Sequence, residues 1–179
     1  ITNNAEKITN IIIYRLGELK IDYHQVTITD ATAGVGGNAI SFGLNFKAVD
    51  AIEMNTPRTV LLKNNIDVYN LKNVQCHNGD CLTILPQLKN HNVVYIDPPW
   101  GGKGYKVYNK LTLSLSSTAL EDVCQNLMDK TKMHKVPELI VLKLPKNYDI
   151  EYLYESIDKN NSIYMYELDK MMIVVIVVK

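Results

Sequence analysis

Residues 96–102 read Ile96-Asp97-Pro98-Pro99-Trp100-Gly101-Gly102 and directly follow the apolar run Val93-Val94-Tyr95. A short apolar run broken by a double proline is a buried strand stopped abruptly at its carboxyl end. In open parallel α/β sheets, ligands sit at that end of the strands. The stretch therefore carries a carboxylate, two rigid carbonyl-bearing prolines and an indole to a ligand cleft. Those groups suit the alkylation of a flat exocyclic amine, with acceptors for the N–H protons and an aromatic plate for the ring. A plain strand end followed by a tight turn is the simpler alternative.

A second constellation supplies the other half of such chemistry. Asp30 closes the apolar stretch Val26–Asp30 and is followed by Gly34, Gly36 and Gly37. Glycines let the backbone turn tightly and approach a ligand without a Cβ clash. A dinucleotide-binding loop would show G-x-G-x-x-G with its helix start on a pyrophosphate. The spacing here is D-x-x-x-G-x-G-G, and an acid at the strand tip suits a ligand with an amino group, such as the methionine part of S-adenosylmethionine. Glu53 ends the second strand, where a carboxylate accepts from ribose hydroxyls. Asp80 ends the third, positioned for an adenine amine, with the Cys81 N–H near the ring edge. Any one of these acids alone reads as a surface cap. Three acids after three successive strands point to S-adenosylmethionine.

The elements that must hold these residues alternate along the chain. A helical apolar spacing covers Glu6–Leu19, with strands expected at Val26–Asp30, Lys47–Ile52, Val74–His77, Val93–Ile96 and Glu138–Leu144. Helices are expected from Asn38 to Leu44, from Pro57 towards Tyr69, over Cys81–Leu88, over Leu120–Lys132 and over Ile150–Asn160. Ile163–Leu168 and Met171–Val178 flank Asp169-Lys170 as a hairpin. A terminal strand as apolar as Met171–Val178 belongs between neighbours, covered on both faces. The expected fold is a Rossmann-like, seven-stranded, mostly parallel α/β sheet with an antiparallel last strand and helices on both faces. Gly101–Ser117 is expected to be one long, mobile, lid-like loop.

The runs DATAGVGGNAISF (30–42), VDAIEMN (49–55), KNNIDVYNL (63–71), NGDCL (78–82) and IDPPWGGKGY (96–105) together resemble the RNA cap guanine-N2 methyltransferases, the trimethylguanosine synthase family. The resemblance extends from about Glu6 to Asn147. It implies methyl transfer from S-adenosylmethionine to N2 of the 7-methylguanosine cap of RNA, giving di- or trimethylguanosine and S-adenosylhomocysteine. Thr32, Ala33, Gly34, Gly36, Asn38, Met54 and Pro99 are then expected to join Asp30, Glu53, Asp80, Cys81 and Asp97 around the cofactor. Asp97, Pro98 and Trp100 are the expected catalytic residues. Trp100, Gly101, Tyr105 and Lys146 are expected to hold the cap, Tyr105 and Lys146 near its phosphates. One position departs from the family, which commonly has Ser where this chain has Asp97. Asp-Pro-Pro-Trp also occurs in methyltransferases of other nucleobase amines, so adenine N6, or guanine N2 in other nucleic acids, stays open as the acceptor. A non-catalytic cap- or cofactor-binding module is a third reading.

Composition limits the remaining choices. With 179 residues and 46% hydrophobic content the chain fits one globular domain. It opens at Ile1 without Met, and we expect the core of a longer protein with an amino-terminal extension. Lys+Arg and Asp+Glu balance at 19 each, so no overall basic field attracts long nucleic acid. Cys76, Cys81 and Cys124 and the four histidines show no metal-ligand spacing, so no metal is expected. The cysteine usage points to an intracellular, reducing compartment, with nucleus, cytoplasm and virus-infected cell all open. Met171–Val178 is too short to span a bilayer. A monomer acting on capped RNA is the expectation.

Overall fold

The apolar runs become the centre of a single sheet. The computed structural model describes residues 3–179, so Ile1 lies outside the described residues. In chain order the elements are α1 (Asn3–Glu18), β1 (Thr27–Asp30), α2 (Gly37–Asn45), β2 (Ala48–Glu53), α3 (Thr56–Val68), β3 (Val74–Asn78), α4 (Cys81–Ile84) and β4 (Val93–Ile96). Then follow β5 (Ser114–Leu115), β6 (Thr118–Ala119), α5 (Leu120–Met128), β7 (Leu139–Pro145), α6 (Ile150–Ser156), β8 (Ser162–Glu167) and β9 (Met171–Val177). Seven strands form one sheet in the order β3-β2-β1-β4-β7-β9-β8. β1 pairs in parallel with β2 on one side and β4 on the other, and β9 runs antiparallel between β7 and β8. The insertion of β9 follows from its side chains, of which all but the first are buried.

The strand order places the site. From β1 the chain moves out to β2 and β3, then returns to lay β4 on the other side of β1. Loops leaving β1 and β4 therefore diverge, opening a crevice at the strands' carboxyl ends. Asp30 ends β1 and Asp97 follows β4, so the two acids stand side by side at that crevice.

Alternation along the strands divides the core in two. Val93 and Tyr95 of β4 pack with Ile8, Ile12 and Leu16 of α1, Phe42 of α2 and Leu62 of α3. Val94 and Ile96 pack with Leu120, Val123 and Leu127 of α5 and Leu153 of α6. Asn55 caps α3 by accepting the Arg58 amide, with Pro57 in the first turn. Among the described residues no helix is long and apolar enough to cross a membrane.

Four expected elements differ from those found. The Leu120–Lys132 helix stops at Met128, because Asp129 turns extended and its Oδ1 takes the Thr131 amide at 2.8 Å. The Ile150–Asn160 helix stops at Ser156, where Ile157 turns extended and buries its side chain. The Cys81–Leu88 helix is one α turn followed by a 3-10 turn over Leu85–Gln87, since Pro86 has no N–H to continue the α pattern. Gly101–Ser117 is not one featureless loop. It folds into a 3-10 helix over Gly102–Val107, and its end pairs β5 with β6 across Ser116-Ser117, both at positive φ.

Candidate active site

The tips of β1, β2, β3, β4 and β7 surround a cavity of about 670 Å³. Thr32, Gly34, Glu53, Met54, Asp80, Cys81, Asp97, Pro98, Pro99 and Trp100 all line it. Asp30 and Ala33, 1% and 6% exposed, and Gly36 are outside its lining, although Ala31, Thr32 and Gly34 of the same segment belong to it.

On the side of β1 to β3 the carboxylates are held by backbone. Glu53 accepts the Gly34 amide at 2.9 Å through Oε2 and the Asn55 amide at 2.7 Å through Oε1. It thus ties the glycine loop after β1 to the loop after β2. Each oxygen retains a second lone pair. Asp80 accepts the Leu82 amide at 2.9 Å and starts α4. Gly36 sits at φ 102°, with Leu62 Cδ1 only 2.9 Å from where a Cβ would stand. Only glycine fits that turn. Asp30 accepts the Thr32 amide at 3.3 Å through Oδ1, while Oδ2 is buried without a partner. Burial pushes the Asp30 carboxyl up to about 7, against the pull of the Thr32 amide and the Lys143 charge. Burial also lifts the Cys81 thiol to about 11, helped by the neighbouring Asp80, which keeps it protonated and unreactive at neutral pH.

The side of β4 and β7 is built from side chains far apart in sequence. The Asp97 amide donates to Thr32 Oγ1 at 2.7 Å, locking the tip of β4 to the loop after β1. Asp97 Oδ2 accepts from Lys143 Nζ at 2.7 Å. Burial raises the Asp97 carboxyl above its ordinary range, and the Lys143 ammonium opposes that rise. Trp100 is half-buried against the α5-side core, with its Nε1 buried and unpartnered. The Lys143 ammonium lies 5.7 Å from the indole centroid, and Tyr105 meets the indole edge-on at 5.3 Å. Pro99 and Trp100 also border a second cavity of about 570 Å³, and Gly101 and Tyr105 line that one.

Two expected residues stand apart. Asn38, in the first turn of α2, donates to Tyr95 Oη at 3.0 Å and lies outside the lining of either cavity. Lys146 is about half exposed, pairs with Glu167 at 3.6 Å and lines neither cavity. Conversely, Lys143, Arg58, Leu115 and Ser116 line the main cavity although the motifs do not point to them. For Lys143 a signal exists, as the single charged residue in the otherwise apolar strand Leu139–Pro145. Ser116 offers none, since a serine pair at positive φ has no sequence mark.

Three carboxylates, Glu53, Asp80 and Asp97, line the cavity against Arg58 and Lys143, with Asp30 buried nearby, so the cleft suits a ligand bearing positive charge. The backbone-anchored Glu53 at the cavity wall and the unpartnered Asp30 oxygen buried nearby suit a ligand that carries ribose hydroxyls and an amino group, as S-adenosylmethionine does. Among the described residues no group of His, Cys, Asp and Glu could hold a metal ion.

Comparison with known proteins agrees with that geometry. An Escherichia coli putative methyltransferase superposes with a TM-score of 0.67 at 18% identity, covering 100% of this chain and 87% of that one. A putative methyltransferase from Streptococcus mutans, solved in complex with S-adenosylhomocysteine, superposes with a TM-score of 0.60 at 12% identity, over 86% of this chain and 88% of that one. These likenesses concern the fold. In sequence, an uncharacterized protein of Acanthamoeba polyphaga mimivirus is 36% identical over 192 aligned residues, 97% of this chain and 73% of that protein. The trimethylguanosine synthase of Schizosaccharomyces pombe is 28% identical over 70% of this chain, which spans only 53% of the yeast protein. The profile of the RNA cap guanine-N2 methyltransferases matches residues 25–175, from just before β1 into β9. A seven-stranded sheet with an inserted last strand, a carboxylate-rimmed cleft and that match lead to one conclusion: the chain belongs to the RNA cap guanine-N2 methyltransferase family.

Proposed function

We propose that this methyltransferase transfers methyl to the exocyclic N2 of the 7-methylguanosine cap of RNA. One observation carries the reading: Asp97, Trp100 and the acid-tipped ends of β2 and β3 line a single cavity. A methyl donor and a flat amine-bearing ring can therefore share one enclosure.

S-adenosylmethionine is the methyl donor and supplies an electrophilic methyl on a positively charged sulfur. Glu53 would hold its ribose hydroxyls and Asp80 its adenine amine, while the buried Asp30 carboxylate would balance the charge of its amino group. The residues on the other side orient the acceptor. Trp100 stacks the base, and a purine made cationic by 7-methylation adds cation–π attraction to ordinary stacking. Lys143 occupies Asp97 Oδ2 and leaves Oδ1 for an N–H of the acceptor amine. Asp97 held as a carboxylate accepts that N–H and eases loss of its proton as the nitrogen becomes positive. The contribution of the protein is positioning and a partly dry site, with no covalent link to the chain.

Asp97 in place of the family's common Ser favours a second reading, methylation of another nucleobase amine. Incubation with S-adenosylmethionine and either 7-methylguanosine triphosphate or guanosine triphosphate separates the two. Methyl incorporation into the 7-methylated nucleotide alone is expected. Incorporation only into adenine-bearing RNA or DNA would replace the cap reading with the second one.

A further inference from the structure

The second cavity has no role in the chemistry above, yet it shares a wall with the site. Pro99 and Trp100 border both spaces. The remaining lining comes from the segment that follows, including Tyr105, Val107 and Tyr108. Tyr108 is 57% exposed and Val107 79% exposed, a high value for apolar groups beside a reaction cleft.

The charge of this segment sets it apart from the rest of the chain. Between Gly101 and Ser117 there are three lysines, Lys103, Lys106 and Lys110, and no acid, in a protein with a formal net charge of zero. Lys110 is answered by Glu151 at 2.7 Å. Lys103 and Lys106 are exposed in the same segment, outside the cavity lining itself, and have no ion pair among the described residues; the Lys106 ammonium stands 6.0 Å from the Tyr105 ring centroid. Exposed aromatic faces interleaved with unpaired ammonium groups are what a single-stranded nucleic acid requires: plates for bases and cations for phosphates.

The backbone beneath these side chains is fixed. Asn147 Nδ2 donates to the carbonyls of Tyr105 and Tyr108, both at 2.8 Å. The Leu111 amide donates to the Asn147 carbonyl at 2.9 Å, and the Asp149 amide to the Leu111 carbonyl at 2.8 Å. An aromatic ring presented on a pinned backbone has little left to lose on binding, and preorganisation of that kind favours affinity.

We propose that the second cavity is a binding site for the single-stranded RNA that immediately follows the cap, with Tyr108 stacking a base and Lys103 and Lys106 meeting phosphates. The inference rests on the cap reading, since continuity through Trp100 is what links the two cavities. It gives a chain with no overall basic field a local hold on RNA. A cap on a flush duplex end cannot splay its bases into this cavity, so unpaired leaders are the substrates it selects.

The test compares three probes on the protein saturated with S-adenosylhomocysteine: 7-methylguanosine triphosphate, a capped single-stranded tetranucleotide, and the same tetranucleotide without a cap. The capped oligonucleotide should bind about tenfold more tightly than the mononucleotide, the worth of one stacked base. Tyr108→Ala should collapse that ratio towards unity. Lys103→Glu with Lys106→Glu should flatten the salt dependence of oligonucleotide binding, by roughly 0.7 in the log–log slope for each phosphate no longer neutralised. All three positions are exposed, so the fold is not at risk. Equal affinities for mononucleotide and capped oligonucleotide in the unsubstituted protein would overturn the proposal. So would a tenfold gain that survives both variants. Binding of the uncapped tetranucleotide with none of 7-methylguanosine triphosphate would overturn the cap reading and leave the single-strand site standing.

Discussion

The two halves of the cleft are built in different ways. On the side of β1 to β3, each acid sits at a strand tip and is tied to backbone amides within its own or the neighbouring loop, as with Glu53 and the amides of Gly34 and Asn55. On the side of β4 and β7, side chains answer one another across long stretches of sequence, as with Asp97 and Lys143. The first half is a rigid mould whose geometry follows from the strands. The second joins the Asp97–Lys143 ion pair to an exposed, lysine-bearing segment whose backbone is tied to Asn147. If the first half holds the donor and the second the acceptor, substitutions in one should leave the function of the other largely intact.

The sharpest way to break that division is Trp100→Ala. Methyl transfer should fall by at least about a hundredfold, the usual loss when a reactant is no longer held in place. Affinity for S-adenosylhomocysteine by calorimetry should stay within a few-fold. Equal loss of both would show that the indole, packed as it is against the core, serves the fold rather than the acceptor.

Asp97→Ala should lower turnover by about a hundredfold, in the range of general acid–base contributions, with a smaller effect on nucleotide binding. Lys143→Met sharpens the point through pH. The ammonium opposes the rise that burial imposes on the Asp97 carboxyl. Its removal should move the acid limb of kcat/KM to higher pH, and Lys143→Arg should restore it. An unmoved profile would mean that Asp97 ionisation does not limit the reaction.

On the donor side the expected pH effect is set by Asp30. Its carboxyl in the free protein is raised to about 7, above the ordinary 3.8, chiefly by burial. A positively charged amino group requires the carboxylate, so donor affinity should be full above about pH 7 and fall by up to tenfold per unit below it. Asp30→Asn should bind weakly and without that slope. The free protein behaves oppositely. Its native state holds a proton that the unfolded chain has released, so this group's contribution to stability declines as pH rises from 3.8 to about 7. Urea unfolding with and without S-adenosylhomocysteine would separate the two trends.

The smallest expected effect concerns the mould itself. Gly36→Ala forces a Cβ to within 2.9 Å of Leu62 Cδ1 at a positive φ. A stability loss of about 1–3 kcal/mol by denaturant unfolding is expected, with donor affinity reduced in parallel.

The same contrast explains what could be read from the chain alone. Asp30, Glu53 and Asp80 are visible because each closes an apolar run, and Gly36 because its turn admits nothing larger. β9 is visible because a strand as apolar as Met171–Val177 has only one kind of place to go. Lys143 is a single charge in an apolar strand, and nothing local says that its partner is Asp97, 46 residues away. The β5–β6 turn escapes notice because Ser116 and Ser117 take positive φ without a glycine. The early end of α5 depends on a competing Asp129 side-chain hydrogen bond. Local pattern reveals what the backbone decides, and misses what distant side chains decide between themselves.

The most direct test of the account is mass spectrometry of a capped dinucleotide after incubation with the protein and S-adenosylmethionine. The account predicts one or two added methyl groups, both on the guanine fragment of a 7-methylated cap, and none when the 7-methyl group is missing. Methyl groups on the second nucleotide, or on the unmethylated cap alone, would contradict it.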